Sequence, residues 1–159
     1  TPLKRISSFS IVVGAIPGAL PILGGWTAVT SSIDVVGIVL FLILFTWQFP
    51  HFLALSWMYK KDYQQGGYKI GSISDESGKK TSIQMMSSLA VLAFVAPLLY
   101  LFNGVGLLYL IVTTILSVIF ILFAVKYSTH RSHENARKVL LTSYAYLTGV
   151  IMMIFIDKN

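Results

Sequence analysis

The chain has 159 residues, of which 55% are hydrophobic and 11% charged, and its mean hydropathy is +0.76. Those proportions exclude a soluble globular domain and predict an integral membrane protein. The net charge of +6 then marks loops that meet anionic lipid rather than nucleic acid, and the lack of cysteine excludes disulfides and thiolate metal sites.

The chain opens on Thr1-Pro2-Leu3-Lys4-Arg5, without an initiator Met or a signal-peptide pattern, and reads as a piece of a longer protein. Apolar runs of about 18 to 25 residues predict transmembrane helices. Five are present, at about 6–23, 35–59, 83–102, 105–127 and 139–156. The runs are continuously apolar rather than alternating, so the expected fold is an all-α polytopic membrane bundle and not a β-barrel.

In the first run, Gly14 and Gly18 stand four apart and predict close approach by another backbone, while Pro17 and Pro21 predict breaks in the helical ladder. Such a helix belongs inside a bundle, either packed closely or lining a cavity.

The second run holds the sharpest feature of the chain, Trp47-Gln48-Phe49-Pro50-His51-Phe52, followed by Lys60-Lys61-Asp62 where the apolar run ends. Were the helix to continue through Asp62 at about 100° per residue, His51, Leu55, Met58 and Asp62 would share one face, with Trp47 one turn below His51. Pro50 removes a backbone donor and predicts a kink just before His51. An imidazole inside a span can ligate a metal or a haem iron, carry a proton, or hydrogen-bond a neighbouring helix. Asp62 reads either as a surface carboxylate paired with Lys60 and Lys61 or as a Mg²⁺ ligand, since magnesium takes one or two carboxylates beside phosphate oxygens and water. Lys4, Arg5, Lys60 and Lys61 would then suit a diphosphate.

The stretch from Lys60 to Ser82 is long, polar and glycine-containing, and is expected to form a loop with an ordered first part. Pro97 predicts a kink in the third helix, and Asn103-Gly104 a tight turn before the fourth. His130 and His133 fall in a hydrophilic stretch that reads as solvated surface, and the methionines as packing. Lys and Arg gather at the start of the chain, between the second and third helices and between the fourth and fifth, which places those ends in the cytoplasm. No Walker loop, Gly-x-Ser-x-Gly, His-Glu-x-x-His or cysteine cluster is present.

Lys4-Arg5, the run Gly14-Ala15-Ile16-Pro17-Gly18-Ala19-Leu20-Pro21 with Gly25-Trp26, Trp47-Gln48-Phe49-Pro50-His51-Phe52 with Asp62-Tyr63, and Ala136-Arg137 ahead of Ser143-Tyr144-Ala145-Tyr146-Leu147 together resemble the haem-prenylating branch of the UbiA superfamily of membrane prenyltransferases. The resemblance covers essentially the whole chain. It implies a bundle of about nine helices around a central cavity, of which these are the last five, with one acidic motif preceding Thr1. It implies farnesyl diphosphate and haem B as substrates, Mg²⁺ as cofactor, an integral position in a bacterial cell membrane, and haem A synthase or oxidase assembly as partners. On it, Lys4 holds diphosphate and Asp62 binds Mg²⁺; His51 stands where quinone-prenylating relatives carry a carboxylate. Arg5, Lys60 and Lys61 become further phosphate contacts, His51 a haem-facing ligand or hydrogen-bond partner, and Trp47 an aromatic wall. The chain alone, without the preceding helices, is expected to be inactive. A haem-handling permease without chemistry is the alternative from another class, because kinked helices and an intramembrane histidine serve transport equally well. A quinone-type prenyltransferase is disfavoured by the Trp-x-x-x-His pair.

Overall fold

The computed structural model describes residues 10–66 and 75–158; Lys4, Arg5 and the middle of the long polar loop lie outside them. The described residues form seven helices: α1 (Ser10–Thr30), α2 (Val35–Met58), α3 (Lys60–Gln65), α4 (Lys79–Val95), α5 (Leu98–Leu101), α6 (Leu107–Thr129) and α7 (His133–Ile156). Five segments are long and apolar enough to cross a membrane, α4 and α5 counting as one.

The connections after α1, α5 and α6 are only a few residues long, so successive spans are antiparallel neighbours. Helix α2 lies against α1, α4 and α7, and α6 bridges α4 and α7. It is also the most enclosed span: Val39, Ile43, Leu53 and Ala54 enter the common core with Met85 and Leu89 of α4, Phe120 of α6 and Tyr146 of α7.

The two faces of α6 differ in chemistry. Leu107, Ile111, Ile115, Val118 and Leu122 recur every three or four residues and are exposed, whereas Tyr109, Thr113, Ser117 and Tyr127 are buried. These aliphatic residues thus face outward and most of the hydroxyl-bearing ones face other helices, while the exposed Thr114 donates to the Leu110 carbonyl at 2.7 Å, the arrangement favoured where lipid offers no hydrogen bonds. Two of the buried hydroxyls find local partners, Thr113 donating to the Tyr109 carbonyl at 2.7 Å and Ser117 to that of Thr113 at 2.8 Å, whereas the Tyr127 hydroxyl has no partner among the described residues.

Several boundaries depart from the sequence expectation, each through polar groups that hydropathy ignores. Helix α1 runs to Thr30 rather than ending near Leu23, and Pro17 and Pro21 lie inside it without ending it. Thr27 and Thr30 hydroxyls donate back to the carbonyls of Gly24 and Trp26, and the Trp26 indole donates to Asp34 at 2.9 Å. Asp34 also accepts from the Gly37 amide and caps α2. Helix α4 begins at Lys79, four residues before the apolar run, because the buried Asp75 carboxylate accepts from the Thr81 amide at 2.8 Å and its hydroxyl at 3.0 Å. Helix α7 begins at His133, not 139, where Ser132 caps the Asn135 amide.

The glycine expectation changes as well. A Cβ at Gly14 would meet nothing within 4 Å, so among the described residues no backbone approaches there. At Gly18 it would fall 2.5 Å from Gln48 Oε1, so a side chain rather than a backbone occupies the groove, with Gln48 Nε2 donating to the Ala15 carbonyl at 3.2 Å. Pro97 and Asn103-Gly104 act as expected: α4 gives way to α5 at Ala96-Pro97, and Asn103 adopts a left-handed φ of 56°.

Candidate functional site around His51

Pro50 and His51 both lie within α2, with Trp47 one turn earlier. Trp47 and His51 are each 8% exposed, and their rings stack at 4.8 Å between centroids and 23° between planes. The i, i+4 spacing brings the two side chains together on one face. Across from them stands Ser143, in the middle of α7. Its hydroxyl lies 2.9 Å from His51 Nδ1, and its backbone carbonyl accepts from the Trp47 indole at 2.8 Å. One residue of α7 thus holds two successive turns of α2.

Phe52 and Tyr144 complete the cluster, each edge-on to the imidazole at centroid distances of 5.4 Å and 5.0 Å. Unlike His51, both are substantially exposed, at 40% and 52%. The imidazole is therefore backed by packed protein and flanked by two aromatic rings open to the outside of the described bundle. Its other nitrogen, Nε2, has no hydrogen-bond partner among the described residues. An unsatisfied ring nitrogen beside exposed aromatic faces suits a flat, largely apolar ligand that carries a Lewis acid or a donor.

The polar end of α2 is arranged differently from the straight extrapolation. The helix stops at Met58, Tyr59 leaves helical geometry at φ −99° and ψ 24°, and α3 starts at Lys60. The angular projection beyond Met58 therefore no longer sets Asp62 on the His51 face. Asp62 lies in the first turn of α3 and is exposed, as is Lys61. Lys60 is half-buried; its ammonium donates to the Asp75 carbonyl at 2.8 Å and sits 4.9 Å from the Trp57 ring centroid. Among the described residues no three His, Cys, Asp or Glu side chains converge on one point, so Asp62 supplies a single carboxylate. Lys4 and Arg5 lie outside the described residues.

Near this end the last part of the long polar loop, residues 75–78, is held by contacts on several sides. Gly78 has a φ of 70°, and a Cβ there would come 2.6 Å from Arg131 Cδ and 2.7 Å from the Trp57 ring. Arg131, just past α6, donates through Nε to Ser82 at 3.2 Å. Burial by itself pushes the Asp75 carboxyl up, but hydrogen bonds from Thr81, Ser77 and the Gly78 backbone outweigh it and hold it below the ordinary carboxylate value.

Sequence reasoning selected His51 and Trp47, which the fold brings together, but did not give Ser143, Tyr144, Phe52 or Asp75 a role. A serine in an apolar span is the one local sign that marks Ser143.

The architecture defines a polytopic helical membrane protein with a polar and aromatic cluster between two of its spans, and residues 1–150 match the UbiA prenyltransferase family. The chain belongs to that family. Within it, the chain is similar to proteins named protoheme IX farnesyltransferase: 38% identical over 99% of its length to that of Salinibacter ruber, 36% to that of Solibacter usitatus and 34% to that of Flavobacterium psychrophilum. The matches cover 56%, 54% and 54% of those proteins, so the chain spans about half the length of the curated relatives it matches. No solved structure matches.

Proposed function

We propose that the protein carrying this chain transfers a farnesyl group from farnesyl diphosphate to a vinyl group of haem B, giving haem O, with its basic loops and diphosphate site on the cytoplasmic side of a bacterial membrane. The observation that carries this reading is the placement of two chemistries at successive levels of α2 and α3. A buried imidazole flanked by exposed aromatic rings lies within the span, and a carboxylate with an exposed lysine lies past its end. A flat porphyrin suits the first; a magnesium diphosphate suits the second.

In the reaction the bond from farnesyl C1 to the diphosphate oxygen breaks, its electron pair leaving with the diphosphate. The allylic cation is captured by the vinyl carbons, and water supplies the hydroxyl of the product and releases a proton. Bound Mg²⁺ would neutralise the leaving diphosphate. Asp62 fits it as one carboxylate ligand, the remaining positions falling to phosphate oxygens, water and acidic groups outside the described residues. Lys61, with Lys4 and Arg5, would bind the polyanion, and Lys60 would order the loop beside it. His51 would face the haem through Nε2, and Trp47 would fix the imidazole plane while adding π-density to the cavity wall.

The test is the full-length protein in membranes supplied with haem B, farnesyl diphosphate and Mg²⁺, with chromatographic detection of haem O. Haem crossing sealed vesicles unaltered, with no haem O formed, would favour a permease instead.

A further inference from the structure

Resting on the proposed haem-facing role of His51, we infer that Ser143 is a positioning residue that sets which imidazole nitrogen His51 presents to its ligand. Ser143 has one hydroxyl proton, and Oγ lies 2.6 Å from the Leu140 carbonyl, which can only accept. Its proton is therefore committed to Leu140, and toward His51 Nδ1, 2.9 Å away, the oxygen offers a lone pair. That contact is a hydrogen bond only when Nδ1 carries the ring proton. The neutral imidazole is thereby held as the Nδ1–H tautomer, with the lone pair on Nε2.

The surroundings fix the rest. Trp47 stacks on one side of the ring, and its indole donation to the Ser143 carbonyl holds the serine backbone at this level of α7. Ser143 is fully buried, whereas Tyr144, the next residue of α7, is exposed and edge-on to the imidazole. The Leu140 carbonyl, Ser143 hydroxyl and His51 Nδ1 thus form a chain that ends at an Nε2 able to accept a hydrogen bond or donate to iron. A ring nitrogen that serves as ligand is usually oriented through its partner nitrogen, and losing that outer contact costs about 10- to 100-fold in affinity.

The test combines a spectroscopic reading with binding. In the full-length protein labelled with ¹⁵N-histidine in detergent micelles, the His51 signals are assigned by their loss in His51→Gln. The expected wild-type pattern is protonated Nδ1 and bare Nε2. Ser143→Ala should move it toward the Nε2–H form and weaken haem binding, read by visible absorption titration, about tenfold; Ser143→Thr, which keeps the hydroxyl, should restore both. A wild-type Nε2–H pattern, or a Ser143→Ala protein with unchanged tautomer and haem affinity, overturns the inference. If His51→Gln loses haem while Ser143→Ala does not, the role of His51 stands and that of Ser143 falls. If His51→Gln itself binds haem as well as wild type, the haem-facing reading falls and takes the inference with it.

Discussion

The Lys60 ammonium donates to the Asp75 carbonyl at 2.8 Å, tying the start of α3 to the approach to α4 across the long polar loop. The same ammonium lies over Trp57, so its charge is partly spent on holding the loop. Lys61, one residue on, is exposed.

The two lysines should therefore separate in mutagenesis. Lys61→Gln is expected to raise KM for farnesyl diphosphate several-fold with little change in unfolding temperature. Lys60→Gln should lower the unfolding temperature as well. Steady-state kinetics beside thermal unfolding in detergent distinguishes them, and identical behaviour of the two variants would contradict the division of roles.

Asp62 is exposed and heads no local hydrogen-bond network among the described residues, so removing it should cost function and not stability. Asp62→Ala is expected to lower turnover about 100-fold, the scale of losing one electrostatic group at a developing charge, and to raise the Mg²⁺ concentration needed for half-maximal rate. Wild-type turnover in this variant would remove Asp62 from the site.

Asp75 should matter in the opposite way. Its carboxyl is held below the ordinary value, so its contribution to stability is present above the unfolded-state pKa and is lost as pH falls through the lower folded-state value. Asp75→Asn is expected to destabilise the start of α4 by about 1 kcal/mol near neutrality, as loss of a capping group does. The difference from wild type should shrink below about pH 4, measured as unfolding temperature against pH. A difference that grows on acidification would show that the bonds to Thr81 do not stabilise the loop.

Gly78 should tolerate nothing larger. Its φ of 70° and the 2.6 Å approach of Arg131 Cδ to the position of a Cβ predict that Gly78→Ala destabilises by more than about 1 kcal/mol. Because Arg131 reaches Ser82 from that place, amide exchange at the first turn of α4 should also quicken. Unchanged exchange in that turn would mean the loop end is free to adjust.

Much of the site was legible because unusual residues stand out in a hydrophobic background. A histidine, a tryptophan and a proline within one apolar run drew attention to residues 47–51, and the helix keeps Trp47 and His51 in register, as its period requires. The extension of that register to Asp62 failed at Tyr59, where one residue outside helical geometry is enough to cancel an angular projection. Asp75 lies in the polar stretch expected to form a loop, yet it is buried, because its partners Ser77 and Thr81 surround it only once the loop has turned.

By itself the sequence determined that the chain crosses the membrane, roughly where each span lies, and which span carries the imidazole, since length, hydropathy and polar exceptions are local properties. Tertiary structure alone decided which face of each helix packs against the others and which is left exposed, because inside a bilayer both faces are apolar and periodicity loses its contrast. It also decided that His51 answers to Ser143, a pairing between residues 92 positions apart that depends on how α2 and α7 pack and that no spacing along the chain encodes.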